Sequence, residues 1–303
     1  MNNREHQHHR LRGIGFMIAA VAVFAVMDAL MKRLSAHYQP LEVACLRSLS
    51  SWICLLPLIT WQRSWSTLRA SRPLLHGLRG VLGITMLTSF VFAVHRMSLA
   101  QTYSLFLAAP LLMTALSVPI HGEHVTGKRW LAIACGMGGV LVILEPWGKG
   151  AFSMLAAAAA ALATVCYSLS ALTVRSLGPG NSSLSMVFWY LAVVGLGAGA
   201  LSLNDWQAVI ADDWLWLAGV GVSGALGQLW LTEAFRRAPP SVVGPFEYTA
   251  ILWALGIDWV FWSASPSASL LIGAALVIAS GIVVIFDERR LAELSANPAF
   301  SPP

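Results

Sequence analysis

Four ionisable residues stand where an apolar chain tolerates them least: Asp28, Arg47, Glu247 and Asp258 all interrupt long hydrophobic runs. Arg47 lies seven residues past Pro40 (47 − 40 = 7), which opens its run. On a helix it stands roughly 10 Å deep at about 1.5 Å per residue. A guanidinium at that depth is expensive unless it faces protein or water. Two uses fit: a buried ion pair with Asp28 or Glu42, or capture of a substrate carboxylate or phosphate. Both turn Arg47 toward the interior. Asp28 shares a helical face with Lys32, four residues on. The two can pair at the membrane interface, or Asp28 can face a cavity and hold a cation or proton. Glu247 and Asp258 are 11 residues apart (258 − 247 = 11), about three turns. On one continuous helix they share a face at different depths. A buried acid such as Glu247 can carry a proton. Tyr103, Tyr248 and Trp253 are the aromatic candidates, suited to stacking on a flat solute or to plain packing.

Other motifs carry less. Gly219-Val-Gly-Val-Ser-Gly224 matches a dinucleotide fingerprint, but that motif needs a strand before it and a helix after it. Here it lies inside a long apolar run. Gly221-Val-Ser-Gly224 resembles a membrane serine-protease motif, yet no histidine follows His124 to act as base. His121-Gly-Glu-His124 and the terminal His6, His8 and His9 read as a loop and a solvated tail rather than a metal site. No cofactor or metal is expected, and no catalytic residue.

These residues must be positioned by helices in lipid. Of 303 residues, 57% are hydrophobic and only 11% charged, against roughly 25% charged in soluble proteins. The apolar residues fall into ten runs, each about bilayer length: 13–33, 40–61, 75–95, 98–120, 127–145, 151–174, 183–203, 214–235, 240–262 and 268–286. The first exceeds a secretory h-region and is expected to stay as a helix. All four cysteines fall inside runs, as small apolar packers. The formal net charge is +5, but its distribution speaks for topology rather than for nucleic acid. With the N-terminus inside, the outer segments hold only Lys32, Arg33, Arg96 and Lys149. The inner segments hold most of the rest, including Arg63, Arg69, Arg72, Lys128 and Arg129. The positive-inside rule then puts both termini in the cytoplasm. Arg79, near the inner end of its run, reads as a snorkelling anchor.

The chain also repeats itself. Gly83 aligns with Gly224, Arg96 with Arg237 and Ala109 with Ala250 at an offset of 141, and Gly139 with Gly281 at 142. Five runs per half is an odd number, so the halves are expected to cross the membrane in opposite senses. Runs four and nine contain Pro110 and Pro245. Interrupted spans in corresponding places of two halves point to a transport site. The two prolines are offset by 135 rather than 141 (245 − 110 = 135). Gly77, Gly80 and Gly83, and Gly195 with Gly199, mark close helix contacts.

Gly122-Glu-His-Val-Thr-Gly-Lys-Arg through Ile143 resembles the signature that closes an EamA repeat, in the drug/metabolite transporter superfamily. Leu99-Ala-Gln-Thr with Ala109-Pro110-Leu111, Asp28-Ala-Leu-Met-Lys32 with Arg47, and Pro245-Phe-Glu-Tyr248 with Trp253-Ala254 fit the same pattern. These last pieces are similar to the subset that includes riboflavin and S-adenosylmethionine carriers. One departure is Trp262-Ser-Ala-Ser-Pro266, where a Gly-Glu is usual before the last span. The resemblance implies a cavity between spans one to four and six to nine, with spans five and ten outside.

The expectation is an all-α membrane protein of ten transmembrane helices in two inverted five-helix repeats. Its parts are a tail at 1–12, repeats at 13–145 and 151–286, and a disordered tail at 287–303. It is expected to be an inner-membrane secondary transporter of a small organic metabolite, whether aromatic, zwitterionic or anionic. The passive channel is the rival reading, and homodimerisation stays open. Arg47 holds an anionic group, Asp28 and Glu247 a cation or proton, and Tyr103, Tyr248 and Trp253 line the cavity.

Overall fold

The structure is a computed structural model that describes residues 3–61, 65, 68–122, 126–144, 153–177, 181–237 and 244–296. Among these the regular structure is entirely helical. The helices are α1 (Asn3–Leu34), α2 (Pro40–Trp61), α3 (Pro73–Arg96), α4 (Leu99–Phe106), α5 (Ala109–His121) and α6 (Gly127–Leu144), then α7 (Met154–Leu177), α8 (Ser183–Ser202), α9 (Trp214–Arg237), α10 (Ala250–Trp262) and α11 (Ala268–Ala296). Seven segments, from Leu11–Leu34 to Ala211–Leu231, are long and apolar enough to cross a membrane. Trp130–Ile143 and Ala268–Val283 are shorter apolar helices. Helix α1 starts at Asn3, and α11 continues past 286, through Asp287 to Ala296. The run from Asp287 to Ala296 is rich in Ala, Leu, Glu and Arg, good helix formers with no glycine or proline among them.

Helix partners follow the repeat. Helix α1 packs on α9 and α3 on α7; α2 packs on α8, α4 on α10, and α6 on α11. Exchange each element for its repeat mate and the α1–α9 and α3–α7 pairs change places, while α2–α8 and α6–α11 map onto themselves. Helices α6 and α11 pack chiefly on each other, beside the rest. Their closest approach is built from glycines. A Cβ on Gly139 would stand 2.8 Å from the Gly273 carbonyl, and one on Gly273 2.6 Å from the Gly139 carbonyl. Backbone cannot yield as a side-chain tip can, so only a small residue fits. Gly273→Leu should therefore prise α6 from α11. The expected loss is about 1–3 kcal/mol, read as a fall of a few degrees in Tm of the detergent-solubilised protein.

The fourth run is broken in two. Ser98 caps α4 in a capping box with Gln101, and α4 closes at Leu107. Ala108 N–H then donates to Leu105 O at 3.1 Å, a tightened last turn. Pro110 brings no N–H, so the ladder restarts as α5 at Ala109. Ser168 of α7 donates to Ala109 O at 3.2 Å. The ninth run is broken too: Gly244–Thr249 is a 3₁₀ turn, and α10 starts at Ala250. The restarts differ by 250 − 109 = 141 residues, the repeat offset. The breaks are thus equivalent even though the prolines are not. The first six residues of the expected ninth span lie partly outside the described residues.

Connectors from opposite halves lock together at both ends of α2. Beyond Leu34, Asp213 Oδ2 meets His37 Nδ1 at 2.8 Å and accepts from the Tyr38 hydroxyl at 2.9 Å. The Tyr38 hydroxyl oxygen in turn accepts from Ile210 N–H at 2.9 Å. Burial above all, and Asp213 beside it, raise the Tyr38 pKa above its ordinary value, keeping the phenol a donor. At the opposite end of α2, Asn181 Nδ2 donates to Ser71 Oγ at 2.7 Å and Arg72 Nη1 to Ser176 O at 2.6 Å. Trp189 Nε1 donates to Leu68 O at 2.7 Å. The first closure joins the α1–α2 and α8–α9 connectors; the second joins α2–α3 and α7–α8. Repeat exchange turns one into the other.

Candidate functional site

The broken helix α4 presents Tyr103 to α1, where its hydroxyl donates to Asp28 Oδ2. Both residues are buried. Arg47, from α2, is 3% exposed, and Asp28 lies within its electrostatic reach. No carboxylate among the described residues comes within 4.0 Å of the guanidinium. Its Nε and Nη1 are buried without a hydrogen-bond partner. Ser48 and Ser51 Oγ, on the same helix, are likewise buried and unpartnered. Leaving such donors without acceptors is costly, the more so for a charged group. The arrangement is suited to a ligand or to water. Neither expected ion pair of Arg47 forms: Asp28 is engaged by Tyr103, and Glu42 Oε1 accepts from Gln207 N–H at 3.2 Å.

Asp28 does not pair with Lys32 either. Lys32 Nζ lies 3.5 Å from Asp258 Oδ1, donates to Met97 O at 3.0 Å, and stands 4.5 Å from the Trp262 ring centre. Asp258 accepts from Leu99 N–H at 3.1 Å and Ala100 N–H at 2.7 Å. Its carboxylate thus satisfies the first amides of α4 and meets the positive end of that helix. Asp258 is a structural clamp that fixes α4, and with it Tyr103. Asp258→Ala should cost on the order of 3 kcal/mol, because it strands Lys32 and two amides. Thermal unfolding checks this, and Lys32→Ala in the same background should recover part of the loss.

Glu247 and Asp258 do not share a helical face, since the 3₁₀ turn breaks the register between them. Glu247 is half-buried and makes no hydrogen bond or ion pair among the described residues. Tyr248 is 4% exposed and drives its ring into α11: a Cβ on Gly281 would collide with its hydroxyl oxygen. It packs the Gly244–Thr249 turn against α11. Trp253 is 43% exposed and lies roughly 140° around α10 from Asp258, on the face that carries Val260.

Sequence reading passed over Tyr167 and Tyr190 and gave Arg79 another role. A run of rings leads away from Tyr103: Phe90 at 6.1 Å between centroids, Phe106 at 5.8 Å from Phe90, and Tyr167 of α7 at 4.9 Å from Phe106. Arg79 is no lipid-facing anchor. Its guanidinium lies 4.8 Å over the Tyr190 ring and donates to Met186 O at 3.0 Å, while its Nε is buried and unpartnered. Gly83, one turn on, makes room for Tyr190, whose Cε2 would stand 2.5 Å from a Cβ there. The available signal was the shared α3 face of Arg79, Gly83 and Phe90. The described residues hold no cluster of three or more His, Cys, Asp or Glu able to bind a metal.

Comparison with known proteins fits this construction. The EamA-like transporter family matches residues 11–145 and again 154–286. The chain belongs to that family. As an EamA-like protein it is a multi-pass membrane transporter and not an enzyme. It is 28% identical over 274 residues to the pseudopaline exporter of Pseudomonas aeruginosa, covering 90% of this chain and 95% of the relative. It is 28% identical over 298 residues to the riboflavin transporter of Vibrio cholerae, covering 97% and 99%. The S-adenosylmethionine uptake transporter of Rickettsia prowazekii is 24% identical over 280 residues, covering 92% and 94%. A crystal structure 18% identical in sequence superposes with a TM-score of 0.65 over 94% of this chain and 99% of the other. It shares the EamA-like protein's fold.

Proposed function

We propose that this EamA-like protein is a secondary transporter that moves a small organic metabolite across the inner membrane by alternating access, with both termini in the cytoplasm. Seven long and several shorter apolar helices serve as ten spans, in two five-span halves of opposite orientation. The exchange symmetry of the helix pairs and of the two closures supports that arrangement. The observation that carries the reading is Arg47: a buried guanidinium with two unpartnered N–H groups, beside the Asp28–Tyr103 pair. Arg47 holds an anionic group of the solute. Asp28, with Tyr103 as its donor, carries the coupling cation or proton. Glu247 is a second acidic site near the broken ninth span. One closure, at His37 and Asp213, opens while the other, at Ser71 and Asn181, stays shut. The two halves rock about the site between them.

Solute counterflow in proteoliposomes tests this. A metabolite library is first screened by thermal shift on the purified protein, and riboflavin, S-adenosylmethionine and pseudopaline are included because similar proteins are named for them. Hits should then show saturable uptake accelerated by the same solute trapped inside. Flux that never saturates and shows no counterflow identifies a channel and ends the proposal.

A further inference from the structure

The two closures are related by the repeat but differ in their chemistry. The closure beyond Leu34 contains an ion pair, His37 Nδ1 to Asp213 Oδ2 at 2.8 Å. The closure at Ser71 and Asn181 joins stretches that hold no acid: no Asp or Glu stands between Glu42 and Glu123, or between Glu145 and Asp205. A carboxylate only accepts, so Nδ1 of His37 carries the proton of its bond. The Asp213 side chain is 3% exposed and that of His37 45% exposed. The ring is thus open enough to take a second proton, at Nε2, from water. That proton turns a neutral donor into a cation facing a buried carboxylate. In an open closure the same two groups stand apart in water. Protonation therefore strengthens the shut form and not the open one. The gain is present on the acid side of the imidazole range, about pH 5 to 8, and is lost as pH rises through it.

The neighbouring charges are committed elsewhere. Arg33 lies 4.5 Å over the Trp216 ring, and Arg96 3.8 Å over that of Phe92. Lys32 is on Asp258, and Glu42 accepts from Gln207 N–H. Tyr38 donates to Asp213 itself. Asp205 and Asp212 are exposed. His95 of α3 meets Ser35 Oγ at 3.2 Å, with no acid within 4.0 Å among the described residues.

We propose that His37 and Asp213 form a pH-sensitive latch. Protonation of His37 holds the closure between the α1–α2 and α8–α9 connectors shut, and loss of that proton frees it to open. The latch rests on the transport reading, in which this closure faces outside, so outward opening answers to the outer pH. The opposite closure has no such pair. Its one imidazole, His76, is 3% exposed and meets the neutral Asn181 Oδ1 through Nε2 at 3.4 Å. The device therefore acts on one face only, although the repeat supplies two closures.

Spin labels at Ala36 and Ile210, both exposed, report the width of this closure in the full chain, with its four cysteines replaced, in lipid nanodiscs. No solute is added, and the pH is moved from about 8 to about 5.5, across the imidazole range. The share of long distances should fall about fivefold or more, the upper range for a half-exposed ion pair. His37→Asn keeps an amide donor toward Asp213 and cannot take the proton; Asp213→Asn keeps an acceptor for the Tyr38 hydroxyl and removes the charge. Each should match the otherwise unchanged protein near pH 8 and lose the response, moving less than about twofold. His76→Gln keeps a donor toward Asn181 and should leave the response whole. A distance distribution that ignores pH, or a full response in His37→Asn, overturns the latch. Where Asp213→Asn fails to fold, His37→Asn alone decides. A closure indifferent to pH in a protein that shows counterflow refutes the latch and leaves the transport reading intact. Absence of counterflow with every solute is the separate failure of that reading.

Discussion

Arg47→Ala is expected to reduce solute exchange at least 100-fold, while the protein still inserts, purifies as a single species and keeps its melting temperature within a few degrees. The reasoning rests on what the guanidinium lacks. An arginine held in a structural ion pair leaves a stranded acid when removed, and stability falls by about 3–5 kcal/mol. Arg47 has no acid within 4.0 Å among the described residues, and two of its N–H groups are buried without acceptors. Its removal relieves an unmet demand of the empty protein and takes from the loaded one a charge-assisted contact. Activity and stability should therefore separate. Arg47→Lys is a sharper control: it keeps the charge and loses the planar fork, so partial activity at much reduced affinity is expected. Full exchange by Arg47→Ala removes it from the site; a collapse of stability makes it structural.

Asp28→Asn should uncouple transport without stopping it. The amide still accepts a hydrogen bond from the Tyr103 hydroxyl, so the α1–α4 contact survives. The charge beside Arg47 is gone, and with it the group able to carry a proton or cation. The expected result is loss of gradient-driven accumulation, by tenfold or more, with solute-for-solute counterflow retained. Tyr103→Phe should act in the opposite sense. Asp28 then keeps its charge and loses its donor, so accumulation persists with an altered pH profile. If Asp28→Asn accumulates solute as wild type does, the coupling group lies elsewhere, and Glu247 is the next to test.

The repeat was legible in sequence because equivalent residues face equivalent neighbours. The 141-residue offset that aligns Ala109 with Ala250 is the offset between the two helix restarts. Composition gave the apolar runs but not their breaks, since a run of apolar residues looks alike as α-helix or as 3₁₀ turn. Arg47 stood out because a charge inside such a run has few tolerable places. Its partners did not. Asp258 clamps Leu99 and Ala100 across 159 and 158 positions in the chain, and local spacing paired Lys32 with Asp28 instead. Glu247 and Asp258 were placed on one face by assuming an unbroken helix. Arg79 escaped because an arginine near a helix end has an ordinary explanation, and Tyr167 and Tyr190 because aromatic residues are common packers. Only contacts between helices from different halves separate these uses.

The proposed transport cycle turns on two closures, related by the repeat, that open in turn around one site. The direct measurement is pulsed electron-spin distance spectroscopy on spin-labelled protein in liposomes, with Cys45, Cys54, Cys135 and Cys166 replaced. One label pair, at Ala36 and Ile210, spans the closure of His37 and Asp213. The other, at Arg69 and Ser182, spans that of Ser71 and Asn181. Solute and a pH gradient should lengthen one distance while the other stays short, in opposite senses for opposite gradients. Both distances lengthening together, or neither moving while solute is transported, rules out alternate opening of the two closures.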